Sequence, residues 1–336
     1  MQKVEIKIIC SLVVLVAFLW LLPSVGLAQS CNATVFGGSS YPSINAAIAA
    51  LPATPTYPFY YPPINVSGTC NEIVRIPPYN NNINLIGVGP PAPVPTINCY
   101  DPNPTNYCAT QGTIQIMGKQ IIIKGFNITG GVDGIQVTQG GTATIRENNI
   151  YSNGRFGIIV VQDSFGTIIN NEIYDNGMNP AFPSTAGIMV TDNSAAWIGL
   201  LSSTDAVASP NTIQNNSSGI VVRSSSFARI IGNTIIDNTG DGIIVQKVSH
   251  ADICSNIIDG NGQNGIFVTQ NSGVNLGKDT GTTIFDLPNS TTTGNGAYGL
   301  NCSIGGYADG RLGTLNGRGR HSATSFNWTC INTLIP

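Results

Sequence analysis

Residues 220–242 read IVVRSSSFARIIGNTIIDNTGDG and residues 243–265 read IIVQKVSHADICSNIIDGNGQNG, which is one 23-residue unit written twice. Each copy follows a glycine and places apolar residues at its first and third positions. Alanine then comes at position nine and isoleucine at eleven, and each copy closes on N-x-I-x-x-N and a polar, glycine-containing turn. Working outward, Gly134, Gly157, Gly187, Gly219, Gly242, Gly265 and Gly299 mark the same unit at spacings of 23, 30, 32, 23, 23 and 34. The longer units are the same unit with loops added. A period of this length belongs to repeat architectures, in which no unit can bury its apolar face alone.

The unit has no helix-period stripe. It offers three short period-2 runs, such as Ile220/Val222, Phe227 to Ile231 and Ile235, divided by Gly, Asn and Ser. It is therefore one rung of a coil of strands, with rungs stacked about 4.8 Å apart. Equivalent positions then align: Asn148, Asn171, Asn211, Asn233 and Asn256 at position 14, and Asn153, Asn176, Asn216, Asn238 and Asn261 at position 19. Asparagine tolerates the left-handed backbone of a sharp bend, and stacked amides can bond from rung to rung. With G-I-x-V followed by N-x-I-x-x-N-G on rung after rung, the chain resembles the right-handed parallel β-helix proteins of the pectin-lyase-like superfamily. The resemblance implies an all-β, right-handed parallel β-helix with a cap at each end; it is specific for fold and not for activity.

The chain divides into four parts. Residues 1–28 carry Lys3 and Lys7, an apolar run from Ile8 to Leu22, Pro23 and the small residues Gly26 and Ala28, which is the pattern of a secretory signal peptide. The apolar run is short for a membrane span, so the mature chain is expected to have none. Residues 29–63 form an N-terminal cap, in which Ser43 precedes Ile44, Ile48 and Leu51 on one helical face. The loop that follows holds Tyr57, Phe59, Tyr60 and Tyr61 between prolines and is expected to pack over that cap, the alternative being that these rings stack on sugars. Residues 64–299 are the β-helix, with Glu72 in a structural role, and 300–336 are a C-terminal cap sealing the last open rung.

Only 9% of residues are charged. Without Lys3, Glu5 and Lys7 the chain keeps 12 basic and 16 acidic residues, a net charge of −4, which excludes nucleic acid as a partner and disfavours strongly anionic polysaccharides. Of the cysteines left, Cys254 takes a place where the neighbouring rung has Ile231, as a buried small hydrophobe. The other six lie near the two ends, where disulfides are expected, Cys99–Cys108 and Cys302–Cys330 foremost. The protein is read as secreted, periplasmic or on the cell surface.

Alternation assigns sides to the first strand. Position 2 reads Gln136, Ile159, Met189, Val221, Ile244 and Phe267, an apolar stripe on the outside of the coil. Something must cover it: the inserted loops 177–186 and 199–210, the C-terminal tail, a second copy of the chain, or a ligand. Beside the stripe, positions 4 and 5 bring Asp192, Arg223, Gln246, Lys247 and Gln270 to one side, with Asp163 directly after Gln162. If a sugar chain binds, this groove is the expected place. In a lyase, Lys247 or Arg223 would be the base, Lys247 the better one because arginine holds its proton too tightly. Asp163 and Asp192 would then hold calcium; otherwise no cofactor is expected, and Asp192 and Arg223 form a surface ion pair.

The resemblance does not extend to the catalytic motifs of the superfamily. Polygalacturonases bring an Asn-Thr-Asp segment, an Asp pair and Gly-His-Gly, whereas this chain has Asn238-Thr239-Gly240-Asp241 and neither of the others. The calcium set of pectate lyases is thin here, and the Asp and Arg contexts of pectin esterases are absent. His250 above Phe227, and Arg229 beside Asp252, read as ordinary cross-rung pairs. The expectation is thus an exported, non-catalytic cell-surface or glycan-binding module. The alternatives are a polysaccharide lyase or glycoside hydrolase working in the first-strand groove, and a periplasmic accessory protein resembling the β-helix factors of copper-site maturation, which the lack of Met- or His-rich tracts disfavours.

Overall fold

The computed structural model describes residues 30–35, 37–52, 62–89, 94–99, 108, 111–277, 286–317, 330 and 334–335. The signal-peptide reading of 1–28 and the aromatic residues Tyr57, Phe59, Tyr60 and Tyr61 lie outside the described residues.

The chain winds as a parallel β-helix of three sheets. Sheet 1 collects the first strand of each rung, nine strands from Val74–Ile76 to Leu300–Cys302. Sheet 2 has thirteen strands and sheet 3 has eight, and all pairings are parallel except at the N-terminal end. The register is the one the repeat dictates, with Ile188 beside Ile220 and Ile220 beside Ile243. Columns of one residue type therefore run up the core: Ile135, Ile158, Ile188, Ile220, Ile243 and Ile266 are all fully buried. Each such side chain contributes roughly 1.5–3 kcal/mol by leaving water.

The three bends of a rung are built differently. Between sheets 1 and 2 two consecutive residues adopt positive φ, as in Gln162-Asp163, Asp192-Asn193, Ser224-Ser225, Lys247-Val248 and Gln270-Asn271. A serine column follows, in which the backbone N–H groups of Ser164, Ser194, Ser226 and Ser249 donate to the next serine's hydroxyl at 3.0–3.2 Å. This column stands in the sequence at position 7 and escaped the repeat analysis. The other two bends carry the asparagine ladders. Asn148 Nδ2 donates to Asn171 Oδ1 at 3.0 Å, and the chain of bonds continues through Asn211, Asn233 and Asn256 to Asn289. The second ladder runs from Asn153 through Asn176, Asn216, Asn238 and Asn261 to Asn295. Each Oδ1 also accepts a backbone N–H from the rung before, so these bend N–H groups are paired.

The N-terminal end is closed by the helix Ile44–Ala49, capped by Ser43, whose Oγ accepts the Ala46 N–H at 3.1 Å. Glu72 is structural: its two carboxylate oxygens accept the N–H groups of Ile44 at 2.6 Å and Asn45 at 3.1 Å. Disulfides join Cys31 to Cys70, Cys99 to Cys108 and Cys302 to Cys330, an arrangement suited to an oxidising compartment. Cys254 stands outside these bridges, buried with Leu200 and Ile231. Among the described residues, no helix is long and apolar enough to cross a membrane.

Candidate functional site

The outer apolar stripe is only half open. Met189 and Val221 are buried in a second cluster with Phe156, Ile159 and Ala186, while Ile244 and Phe267 stay half-exposed. The cover at the closed half is the inserted loop 177–186. Its Phe182 ring lies under the Arg155 guanidinium, 5.9 Å from the ring centre, and Arg223 donates to Ser184 Oγ at 3.0 Å. The other insertion, 199–210, does not reach the stripe. It packs Ala208 against Leu200, Ile231 and Cys254 beyond sheet 2.

Where the loop ends, a cleft of about 430 Å³ opens on sheet 1. Val221 and Ile244 form its floor, and Pro183, Ser184 and Thr185 form one wall. Ser217, Ser218, Thr239, Gly240, Asp241, Gln246 and Gln263 complete it. The floor is apolar and the walls are hydroxyls and amides, with Asp241 the one charged group among the described lining residues. A larger hollow of about 760 Å³ lies beside the capping helix, between Ile48 and Leu51 on one side and Pro77, Tyr79 and Met117 on the other.

Asp241 is the residue that the sequence reading missed. Its side chain is buried, and Oδ1 accepts both the backbone N–H of Asn264 at 2.8 Å and the Asn264 amide at 2.7 Å. Burial pushes the carboxyl above its ordinary range, and the two Asn264 donors pull it back only in part. Among the described residues no protein donor reaches Oδ2, which leaves that oxygen to the cleft. The only sequence signal was the residue before the glycine mark, which reads Asp133, Phe156, Ala186, Ser218, Asp241 and Asn264 on successive rungs.

The sequence-derived groove is only partly assembled. Val221, Ile244 and Gln246 line the cleft as expected. Asp163, Asp192, Lys247 and Gln270 stand instead in the left-handed bend at the far end of the strand. From Asp241 to Lys247 is six residues of extended chain, about 20 Å. Asp163 accepts the Asn193 amide at 2.6 Å and Asp192 accepts the Thr191 hydroxyl at 2.9 Å. The expected Asp192–Arg223 ion pair is not formed, because Arg223 turns to Ser184 and, through Nε, to Thr191 Oγ1 at 3.4 Å. Arg223 therefore clasps the loop at Ser184, and Lys247 is exposed and is not among the residues lining the cleft.

The two carboxylates do not fit calcium. The ion takes six to eight oxygens. Among the described residues, the one cluster of three close metal-type ligands is Cys31, Cys70 and Glu72, whose two sulfurs are joined to each other. On sheet 2, His250 stacks on Phe227 with centres 6.2 Å apart, and Arg229 Nε lies 3.6 Å from Asp252 Oδ2, the cross-rung pairs read from the sequence. Tyr151 and Tyr174 stack at 5.1 Å on sheet 3, each ring giving a face to the other rather than to a sugar.

A family model described as "Right handed beta helix region" matches residues 103–200 and 190–308. No curated protein matches the sequence significantly. Among solved structures, pectate lyase Pel9A is 14% identical with a TM-score of 0.49, covering 82% of this chain and 74% of its own. XylC in complex with xylose is 15% identical with a TM-score of 0.39, and the alignment covers 72% of this chain but spans only 38% of that one. The A-module of the Azotobacter vinelandii mannuronan C-5 epimerase AlgE6 is 15% identical with a TM-score of 0.36, covering 80% and 81%. Such values carry nothing about substrate or reaction.

Proposed function

The chain belongs to the right-handed β-helix family, a scaffold that leaves the chemistry open, and we propose that it serves as an exported, non-catalytic glycan-binding module. The observation that carries this reading is the cleft on sheet 1. An apolar floor of Val221 and Ile244 suits the C–H face of a sugar ring, and Asp241, Gln246, Gln263, Thr239 and Ser184 offer donors and acceptors to its hydroxyls. Low charge, three disulfides and the signal-like N-terminus support an exported protein.

One observation favours a catalytic alternative, a glycoside hydrolase or lyase: a carboxyl raised by burial, as at Asp241, is suited to general-acid work. Among the described residues that line the cleft there is no second carboxyl. Hydrolysis takes two carboxyls roughly 5–9.5 Å apart. Asp163 and Asp192 sit at the opposite bend, about 20 Å along the strand direction. The deciding experiment assays a polysaccharide panel for both binding and release of reducing or unsaturated ends. Binding that Ile244→Trp abolishes by filling the cleft, with no product released, is the expected outcome. Product from the parent protein that disappears in Asp241→Asn would establish the enzyme reading instead.

A further inference from the structure

Asp241 has a counterpart four rungs earlier. Asp133 holds the same place before its glycine mark, and its carboxylate is fully buried. There the next rung supplies Arg155, which grips it with Nε at 3.0 Å and Nη2 at 2.7 Å, and Gln136 adds a third bond at 2.6 Å. At Asp241 the residue equivalent to Arg155 is Gln263, and the residue equivalent to Phe156 is Asn264. The repeat thus replaces a cation by an amide at the one rung where the column opens on a cleft. A buried carboxyl in this scaffold can be neutralised from the next rung, and here it is left to whatever enters.

Resting on the glycan reading above, we propose that the cleft selects an uncharged sugar chain, with Asp241 bound to its hydroxyls, and rejects polyuronates. A hydroxyl can donate to the open Oδ2 or accept from it if protonated, so a neutral sugar satisfies the group in either state. A uronate sets a second carboxylate beside it. Two like charges about 6 Å apart at an effective dielectric near 20 disfavour such a complex by roughly 100-fold. Among the described residues no cation lines the cleft, and Arg223, which reaches its wall at Ser184, is committed to Ser184 and Thr191. A polyuronate carries a carboxylate on every sugar, and one committed guanidinium at the rim cannot match it.

The test measures binding of neutral hexasaccharides (cello-, xylo- and mannohexaose) against hexagalacturonate and hexamannuronate at neutral pH, by calorimetry. At least one neutral chain is expected to bind tenfold or more tightly than either uronate. Asp241→Asn, which keeps the acceptor for Asn264, puts an amide N–H where the open oxygen stood and removes the charge, is expected to weaken neutral binding severalfold and to strengthen uronate binding, so that the gap narrows. Gln263→Arg, which rebuilds the Asp133–Arg155 pair, is expected to weaken neutral binding tenfold. Tighter binding of a uronate by the parent protein would overturn the proposal while leaving the glycan reading intact. Unchanged binding in both variants would also overturn it, by taking Asp241 out of the ligand's path. If neither class binds, the glycan reading falls and this inference with it.

Discussion

Asp133 and Asp241 are the same residue type at the same point of two different rungs, yet one is gripped by an arginine and the other lines a cleft. The main difference lies in the neighbouring rung, which presents Arg155 to the first and Gln263 to the second, while on its own rung Asp133 has Gln136 where Asp241 has Ile244. In a coil whose rungs repeat, position alone does not give a side chain its role. What decides it is the residue set across from it, about 4.8 Å away on the next rung.

The largest effect that would break this contrast concerns the closed end of the column. Arg155→Ala strands a fully buried carboxylate at Asp133 and is expected to cost about 3 kcal/mol, since removing one partner of a buried pair leaves the other charge uncompensated. Gln263→Ala next to Asp241 is expected to cost no more than about 0.5 kcal/mol. Urea unfolding of the two variants beside the parent measures both. Similar losses would mean that Asp241 is as much a structural residue as Asp133.

The second test uses pH. Burial raises the Asp241 carboxyl above its ordinary value, against the pull of Asn264. The folded protein therefore holds that proton more tightly than the unfolded chain does. Stability falls as pH climbs from the ordinary value of 3.8 through the raised folded value, and stays lower beyond it. Asp241→Asn removes this loss. It is expected to be more stable than the parent at neutral pH by about 1 kcal/mol, a usual size for such a relief, with the advantage vanishing below the ordinary carboxylate range. Asp133→Asn should destabilise at neutral pH, because Arg155 loses its partner. Asp259 acts in the opposite sense: desolvation raises its carboxyl, but N–H donors from Thr293 and Gly294, the Thr293 hydroxyl and the Gly260 N–H outweigh it and lower the value. Its contribution is present above the ordinary range and fades as pH falls through its lowered value, equally in parent and variant, so it cancels from the comparison. A less stable Asp241→Asn at pH 7 would contradict the account.

The fold was legible because it repeats. The isoleucine columns, both asparagine ladders and two of the three disulfides follow from spacing, and the serine column was present at position 7 for the same reason. The cleft was only partly legible. Val221, Ile244 and Gln246 belong to periodic columns and were found. Asp241 was overlooked because it stands in the turn before the glycine mark, where the comparison with a polygalacturonase segment ended without a match. The wall formed by Pro183, Ser184 and Thr185 comes from an insertion, and an insertion has no period from which to read its direction. Charge misled for a related reason. Asp163, Asp192 and Lys247 collect at an exposed bend, which accommodates charge at little cost, so their alignment is explained by solvent exposure alone.

The smallest expected effect concerns the insertion. Arg223 is half-buried and spends its guanidinium on Ser184 and Thr191, fixing the loop that forms the cleft wall, whereas Lys247, one rung on and one place further along the strand, points into solvent. Arg223→Ala should lose two hydrogen bonds of modest net worth, one of them long, for a total near 1 kcal/mol. Its main consequence should be local. With the clasp gone, loop 177–186 should be cut faster by a protease of broad specificity, and the half-buried edge of the stripe at Ile244 should bind a hydrophobic dye more strongly. Glycan affinity should fall severalfold through loss of wall order, without any change in which sugar is preferred, because the selecting group is Asp241. Lys247→Ala should change none of these. If Arg223→Ala instead switched the sugar preference while the loop stayed protected, the guanidinium would belong to the binding site after all, and the groove drawn from the sequence would be restored to its original place.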